Sequence, residues 1–322
     1  MKKGSDIIAQ GMSAVATTRR AKRFQRRETP APFQLTERDL IILGHVARHR
    51  FLSSEHLARL DGGSEQNVLR ILRVLFDHQY LDRPTTQLAN MPISGPRPMV
   101  YGLGRRGAQA LRDHSVHADA SDWTERNKRA GAKFIEHTLA IADFMVRLEI
   151  ACRERGDIRL LDEHEILANA PERTQKSREP LRLVVPGLSN KMGVSSVIAD
   201  GLFGLMFPDE TAVYFLLEID RGSMPVVRSN FERTSFNRKL LIYWEAWKKK
   251  LHVEHFGVSQ IRVFTITESA MRADNMLSAV NEITAGKGSN FFLFGCRNQL
   301  EQSDLLEAAW ITGRGQRSRL ID

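Results

Sequence analysis

The sequence is poor in cysteine and has no long uncharged run. Of its 322 residues only Cys152 and Cys296 are cysteines, and neither belongs to a Cys-x-x-Cys pair. This scarcity excludes a disulfide framework and a cysteine zinc finger, and it favours a reducing, cytoplasmic compartment. Because no stretch of about 18 residues is free of charge, we expect no transmembrane helix. Residues 1–30 lack an apolar segment of the signal-peptide kind, so we expect no secretory leader.

Positive charge, in contrast, is abundant and unevenly distributed. Lys and Arg outnumber Asp and Glu by 8 to 2 in residues 1–30, by 14 to 11 in residues 31–130, and balance them at 25 each in residues 131–322. The net charge of +9 therefore resides in the first 130 residues. We expect a polyanionic partner there, with nucleic acid as the first candidate and an anionic membrane as the second.

Residues 1–33 are predicted to be a disordered basic arm, because they offer too little apolar surface to offset the entropy of ordering. The segment ends at Pro30 and Pro32. It is either a solvated leader or an arm that contacts phosphates. Its six candidate contact residues are Arg19, Arg20, Lys22, Arg23, Arg26 and Arg27.

Residues 34–113 have the pattern of three helices. Thr36 followed by Asp39 resembles a capping box, and Ser53 and Ser64 are good N-cap residues for two further helices. Apolar residues share one face of the third helix. Its polar face carries Gln66, Arg70, Arg73 and Asp77.

Two short strands follow, at residues 80–81 and 100–103, with a closing helix over 105–112. Three helices and a hairpin in this order are typical of a winged helix-turn-helix, whose third helix enters the major groove. Arg side chains address guanine or phosphate, and Gln and Asn address adenine. The predicted DNA-binding residues are Gln66, Asn67, Arg70, Arg73, Arg105 and Arg106. A winged helix used for protein contact is the alternative.

The remainder of the chain is predicted to be a linker and a second domain. Residues 114–132 lack periodicity and are predicted to be the linker. Residues 133–312 begin with an amphipathic helix and continue as alternating strands and helices, which favours an α/β domain with a mixed sheet. Residues 313–322 are predicted to be a basic tail. The fold class is therefore α+β overall.

Three carboxylates stand out in this second domain. Asp200 ends one predicted strand, and Glu218 and Asp220 lie two residues apart on the strand that is clearest in the sequence. Because side chains alternate along a strand, Glu218 and Asp220 lie on the same face of the sheet. Burying two carboxylates there is costly unless they bind a cation. The spacing is typical of a divalent-metal site for phosphodiester hydrolysis, so Asp200, Glu218 and Asp220 are candidate ligands of Mg²⁺ or Mn²⁺.

The spacing resembles the PD-(D/E)-x-K nuclease motif imperfectly. Asp220 stands where that motif has its lysine, and the nearest substitute cations are Arg238 and Lys239 on the next helix. If the site is active, its catalytic residues are Asp200, Glu218, Asp220 and Lys239. A degenerate nuclease fold is favoured, and a chance spacing whose acids pair with Arg221, Arg228 or Arg238 stays open.

Several sequence blocks resemble the replication-relaxation family of bacterial plasmid and mobile-element proteins. They are Leu35-Thr36-Glu37-Arg38-Asp39-Leu40, Leu72-x-x-Leu75-Phe76-x-x-x-Tyr80-Leu81, Tyr101-Gly102-Leu103-Gly104-Arg105-Arg106-Gly107, His137-x-Leu139-Ala140-Ile141-Ala142-Asp143-Phe144, Phe215 through Gly222, and Arg238-Lys239-x-x-x-Tyr243. The resemblance covers about residues 35–285. It implies a winged-helix DNA-binding domain, a C-terminal domain similar to the PD-(D/E)-x-K fold, and a role in plasmid replication, relaxation or mobilisation.

The sequence therefore predicts a cytoplasmic DNA-binding accessory protein of plasmid or mobile-element DNA. Its nuclease-like domain is expected to be degenerate. An endonuclease that requires Mg²⁺ is the first alternative, and a transcription regulator is the second. The expected partners are double-stranded DNA and a relaxase or replication protein, with no membrane partner, and a homodimer stays open.

Overall fold

A computed structural model describes residues 22–90, 98–114, 123–188, 194–222, 236–302 and 304–322. The helices of these residues are α1 (Glu37–His49), α2 (Ser54–Asp61), α3 (Glu65–Asp77), α4 (Arg105–Asp113), α5 (Trp123–Lys128), α6 (Ala132–Arg155), α7 (Glu163–Ala168), α8 (Glu172–Gln175), α9 (Phe236–Lys248), α10 (Leu251–Phe256), α11 (Ala270–Ile283) and α12 (Arg297–Gln302). The strands are β1 (Phe51–Ser53), β2 (Leu81–Asp82), β3 (Val100–Leu103), β4 (Arg159–Leu161), β5 (Arg182–Pro186), β6 (Val194–Ile198), β7 (Gly201–Met206), β8 (Ala212–Ile219), β9 (Arg262–Thr267), β10 (Phe292–Cys296), β11 (Trp310–Thr312) and β12 (Arg317–Ser318).

The N-terminal unit consists of α1 to α4 and a small antiparallel sheet in the order β1-β3-β2. The predicted capping box at the start of α1 is confirmed: the backbone N–H of Thr36 donates to Asp39 at 2.9 Å, and Thr36 Oγ1 accepts from the backbone N–H of Asp39. Ser53 caps α2 in the same way. Strand β1 was not predicted, because three buried residues between two helices are too few to show an alternating pattern.

Two glycines bring the start of α4 close to the end of α3. A Cβ atom at Gly104 would lie 2.4 Å from the carbonyl oxygen of Gln79, and one at Gly107 would lie 2.2 Å from that of Tyr80. Both distances are far below any real Cβ contact, so only glycine permits this approach. The close packing fixes α4, and with it Arg105 and Arg106, against the C-terminal end of α3.

Helix α6 joins the N-terminal unit to the second domain. Ala142 and Val146 pack in the core of the N-terminal unit, whereas Phe144 and Leu148 pack against the large sheet. The predicted core-packing helix is thus observed, but it has two buried faces. The predicted linker also differs, because α5 packs beside β3 and its Asn127, 2% exposed, accepts a hydrogen bond from Arg50 at 2.8 Å.

The second domain is built on a seven-stranded mixed sheet in the order β12-β11-β10-β9-β8-β7-β4. Strands β4, β7 and β8 are antiparallel neighbours, and β8, β9 and β10 run parallel, with α9, α10 and α11 in the crossovers. Leu216 of β8 packs with Leu240 of α9 on one face, and Leu217 packs in the α6 core on the other. The predicted mixed sheet with flanking helices is therefore confirmed. The predicted tail differs, since β12 pairs with β11 and Leu320 is fully buried.

In the part of the chain that the structure describes, none of the helices has both the length and the apolar composition needed to cross a membrane.

Candidate functional site

Asp200 lies in the tight connection between β6 and β7, where it is fixed to the end of β8. Its backbone N–H donates to the carbonyl of Leu217 at 2.9 Å, and its Oδ2 accepts from the backbone N–H of Ile219 at 2.8 Å. Its Oδ1 lies 3.0 Å from Nε2 of His137 on α6. Asp200 is therefore positioned by main-chain hydrogen bonds, and its side chain is 16% exposed.

Glu218, near the end of β8, is the most deeply buried of the three carboxylates, with 1% exposure. Lys239 Nζ donates to its Oε2 at 2.6 Å, and the hydroxyl of Tyr243 donates to its Oε1 at 2.6 Å. Lys239 and Tyr243 are four residues apart on α9 and so lie on the same helix face. Both oxygens of Glu218 thus accept a hydrogen bond from this helix.

The surroundings of Glu218 shift the pKa of its carboxyl group. Burial raises its pKa to about 7, and the nearby charge of Asp200 adds to the increase, while Lys239 and Tyr243 oppose it. For Lys239, burial lowers the pKa, but the charges of Glu218 and Asp200 outweigh burial, so the net pKa is raised and the amine stays charged. Near neutral pH this cluster is therefore poised to gain or lose a proton at Glu218.

Asp220 follows β8 and has a different partner. Its side chain is 4% exposed and receives two hydrogen bonds from Arg272 on α11, one from Nε and one, at 2.8 Å, from Nη2. This is a bidentate arginine–carboxylate pair, which is among the strongest ion-pair geometries. Arg272 therefore provides the positive charge that the sequence suggested a metal ion would provide to Asp220.

A cavity of about 380 Å³ opens beside these groups. Lys239 and the three carboxylates line it, together with Lys133, Glu136, His137, Ile219, Arg221 and Phe236. Arg221 is held at its edge, since Nη1 donates to the carbonyl of Lys133 at 2.9 Å and Nη2 pairs with Glu136. The cavity thus combines acids with nearly as many cations, and the acids do not form an isolated negative cluster.

The three carboxylates do not fit a shared Mg²⁺ or Mn²⁺ site. Among the described residues no group of three His, Cys, Asp or Glu side chains is arranged to hold a metal ion. Asp220 is engaged by Arg272, and both oxygens of Glu218 accept from α9. Asp200, Glu218 and Lys239 remain as the part of the predicted catalytic set that converges.

The second candidate region is α3, whose N-terminal half is exposed. Gln66, Asn67 and Arg70 all reach solvent, and Arg70 Nη1 lies 3.4 Å from Oδ1 of Asn67. Arg73, one turn further on, is less accessible, since its Nε donates to Asp77 at 2.9 Å and its side chain is 20% exposed. The predicted polar face is therefore free only in its first two turns.

The two arginines at the start of α4 also differ from each other. Arg105 is exposed. Arg106 donates to the carbonyl of His78 at 3.2 Å and to the hydroxyl of Tyr80 at 3.1 Å, and it lies over the Tyr80 ring. Arg106 thus caps the C-terminal end of α3, which restricts its own contact with a partner.

Part of the predicted arm packs on this unit. Arg26 pairs with Asp82, and Arg27 pairs with Asp77 at 3.7 Å. Lys22 and Arg23 are exposed. Arg19 and Arg20 lie outside the described residues.

Sequence reasoning assigned no role to three contributors to the acidic site, His137, Tyr243 and Arg272. Tyr243 had a usable signal, since it follows Lys239 by four residues and shares its face. His137 and Arg272 are brought to the acids only by packing of α6 and α11 on the sheet, which no local pattern encodes.

Comparison with known proteins gives one family. A family model described as Replication-relaxation matches residues 43–260, about two thirds of the chain, and spans both the N-terminal unit and the first strands of the large sheet. No curated protein and no solved structure matches the chain.

Proposed function

Because this chain belongs to the replication-relaxation family, we propose that it is a DNA-binding accessory protein of plasmid or mobile-element replication. The family indicates the replication role. The N-terminal unit would bind duplex DNA as a winged helix, and the sheet domain would be a nuclease-like fold that has lost a complete acidic site.

The exposed N-terminal half of α3 is the observation that carries this proposal. Gln66, Asn67 and Arg70 are exposed on a helix whose opposite face is fully buried through Val68 and Leu72. A rigid helix that presents amide and guanidinium groups matches the donor and acceptor pattern of adenine and guanine in the major groove. The small sheet of this unit, in the order β1-β3-β2, would supply the wing that such units use against the DNA backbone.

The acidic site supports an accessory role over hydrolysis. Asp220 is paired with Arg272, and both carboxylate oxygens of Glu218 accept hydrogen bonds from Lys239 and Tyr243. Both features reduce the negative charge that a catalytic metal would require. The sheet domain then contributes a folded platform whose residues 131–322 have no net charge.

The test measures binding of the full chain to a duplex selected from a random pool. Gln66→Ala with Arg70→Ala should weaken binding by about 1–3 kcal/mol for each base that the variant no longer reads. Arg178→Ala, an exposed arginine of the sheet domain, is the control for loss of one positive charge. If the double variant binds as tightly as the wild type at about 0.15 M salt, α3 is not the element that contacts bases.

An endonuclease of the PD-(D/E)-x-K type is the second candidate, favoured by the 2.6 Å contact between Lys239 and Glu218. That lysine comes from the helix after the strand, as the sequence suggested. Nicking of supercoiled plasmid in Mg²⁺ or Mn²⁺ buffer measures this activity. Nicking that Asp200→Asn and Lys239→Met both remove, and that the exposed Lys249→Met retains, would favour the enzyme over the accessory role.

A further inference from the structure

The segment 22–27 lies along the C-terminal half of α3 and is held there through its main chain. Arg73 Nη1 donates to the carbonyl of Lys22 at 3.3 Å, and its Nη2 donates to the carbonyl of Gln25 at 3.1 Å. Arg83, just after β2, donates to the carbonyl of Arg23. Two arginines of the folded unit therefore bind three backbone carbonyls of a segment that has no helix or strand of its own.

These arginines gather around one aromatic ring. The guanidinium carbons of Arg83, Arg26 and Arg73 lie 4.2, 4.5 and 5.6 Å from the centre of the Phe76 ring, which is 2% exposed. Cation–π contacts of this kind favour a fixed arrangement of the guanidinium groups. Burial lowers the pKa of Arg83, since desolvation outweighs its contact with the hydroxyl of Tyr101.

The side chains of the segment divide into two sets. Arg26 points inward to Asp82, whereas Lys22 and Arg23 are exposed and the Arg27 side chain is 57% exposed. Asp77 accepts from both Arg73 and the backbone N–H of Arg27, so it belongs to the anchor. The exposed set is therefore basic and lies at a fixed position beside the free half of α3.

We propose that Arg73 and Arg83 are positioning residues that hold segment 22–27 as a fixed basic edge, and that Lys22, Arg23 and Arg27 on this edge bind backbone phosphates of duplex DNA. This inference rests on the proposed DNA binding by α3. It reassigns Arg73, which the sequence placed among the direct DNA contacts. An edge that is already ordered loses less conformational entropy on binding than a free arm would.

The salt dependence of binding distinguishes the two roles of Arg73. Each phosphate contact contributes about 0.9 to the slope of log K against log salt concentration. If Arg73 contacts DNA itself, Arg73→Ala reduces the slope by about 0.9 at most. If Arg73 positions the segment, its loss frees Lys22, Arg23 and Arg27 from their fixed places and removes their phosphate contacts. The reduction of the slope then approaches about 2.7.

A charge-conserving variant sharpens the test. Arg73→Lys keeps the positive charge and can still pair with Asp77, but an ammonium group cannot reproduce the planar fork that reaches two carbonyls. We expect Arg73→Lys to flatten the slope by more than one phosphate contact would, and Lys22→Ala with Arg23→Ala to add little further change on that background. Arg70→Ala, which removes a guanidinium bonded to Asn67 on the same helix, is the comparison variant, and its effect should add to that of the Lys22/Arg23 pair.

A readout without DNA separates failure of this inference from failure of the proposed function. Trypsin, which cleaves after Lys and Arg, should cut between residues 22 and 27 faster in Arg73→Lys and Arg83→Ala than in wild type or Arg70→Ala. Faster cutting together with the larger slope change supports the inference. Unchanged cutting, or a slope reduction of about 0.9 or less for Arg73→Lys, overturns it. If the wild type binds no duplex, the proposed function fails, and with it the phosphate contacts assigned to this edge.

Discussion

The N-terminal unit and the acidic site of the sheet domain are both rich in charged groups, but they use them in opposite ways. On α3, Gln66 and Arg70 present polar groups to solvent, beside an exposed basic segment. In the sheet domain, Glu218 and Asp220 are buried and each has a cation of the same chain within hydrogen-bonding distance. Charge that is exposed and unbalanced can attract a polyanion, whereas charge that is buried and matched mainly determines stability.

The difference also explains the distribution of charge along the sequence. Residues 131–322 hold 25 cations and 25 anions, and their buried acids have internal partners. The surplus lies in residues 1–130, where segment 22–27 alone carries Lys22, Arg23, Arg26 and Arg27. Among the described residues, the carboxylates that form ion pairs with that segment are Asp77 and Asp82. The two regions are therefore expected to respond differently to loss of a single charge.

The largest effect is expected where a buried pair is broken. Asp220→Asn removes the buried carboxylate that pairs with the Arg272 guanidinium, whose side chain is 16% exposed. The loss of free energy of unfolding should be about 3 kcal/mol, measured by urea denaturation. Arg272→Met on that background should recover part of the loss, because the buried guanidinium is then removed together with the carboxylate that it paired with. The exposed pair of Glu172 with Lys176 is the control, and Glu172→Gln should change stability little.

If Asp220→Asn lowers the free energy of unfolding no more than Glu172→Gln does, the buried charges of the sheet domain do not contribute more to stability than exposed ones. The ion pair of Asp220 with Arg272 would then contribute no more to stability than a surface ion pair does.

A smaller effect is expected from the pH dependence of Glu218. Its pKa is about 7 in the folded chain against an ordinary value of 4.5, so the folded chain holds a proton that the unfolded chain has released between these values. The stability that this proton provides is fully present below about pH 4.5 and is lost as the pH rises to about 7. The change should be on the order of 2 kcal/mol, and Glu218→Gln should lack it.

Urea denaturation of wild type and Glu218→Gln at pH 5 and pH 7.5 measures this difference. Glu154→Gln, an exposed glutamate on α6, is the control for removal of one carboxylate. A difference between wild type and Glu218→Gln that stays constant with pH would mean that Glu218 ionises normally in the folded chain.

The helices and strands of this fold could be predicted from the sequence more completely than the ion pairs that its charged residues form. The caps at Thr36 and Ser53 and the apolar run along β8 are local signals, and they predicted helices and strands within a few residues of those observed. Arg238 and Lys239 were expected as the nearest cations on the helix after β8, and Lys239 reaches Glu218 at 2.6 Å. The pairing of Asp220 with Arg272, 52 residues away, was not foreseen, since it depends on the packing of α11 beside α9.

The role of Arg73 illustrates the same limit. Helical spacing placed it on the polar face with Gln66 and Arg70, and that placement is correct. What spacing could not indicate is that segment 22–27 crosses this face, because nothing local in an irregular segment specifies where it packs. Tertiary contacts thus divided one helical face into an exposed half and a covered half.

The most direct test of the account is hydrogen exchange of the full chain with and without its selected duplex, compared peptide by peptide. We predict slower exchange on DNA binding in residues 22–27, which have no helix or strand of their own, and at the start of α3, where the first backbone N–H groups lack helical partners. Peptides covering β8 and the start of α9 should exchange as they do without DNA. Protection around Glu218 and Lys239 with none in α3 would contradict the account, because it would place the DNA on the acidic site.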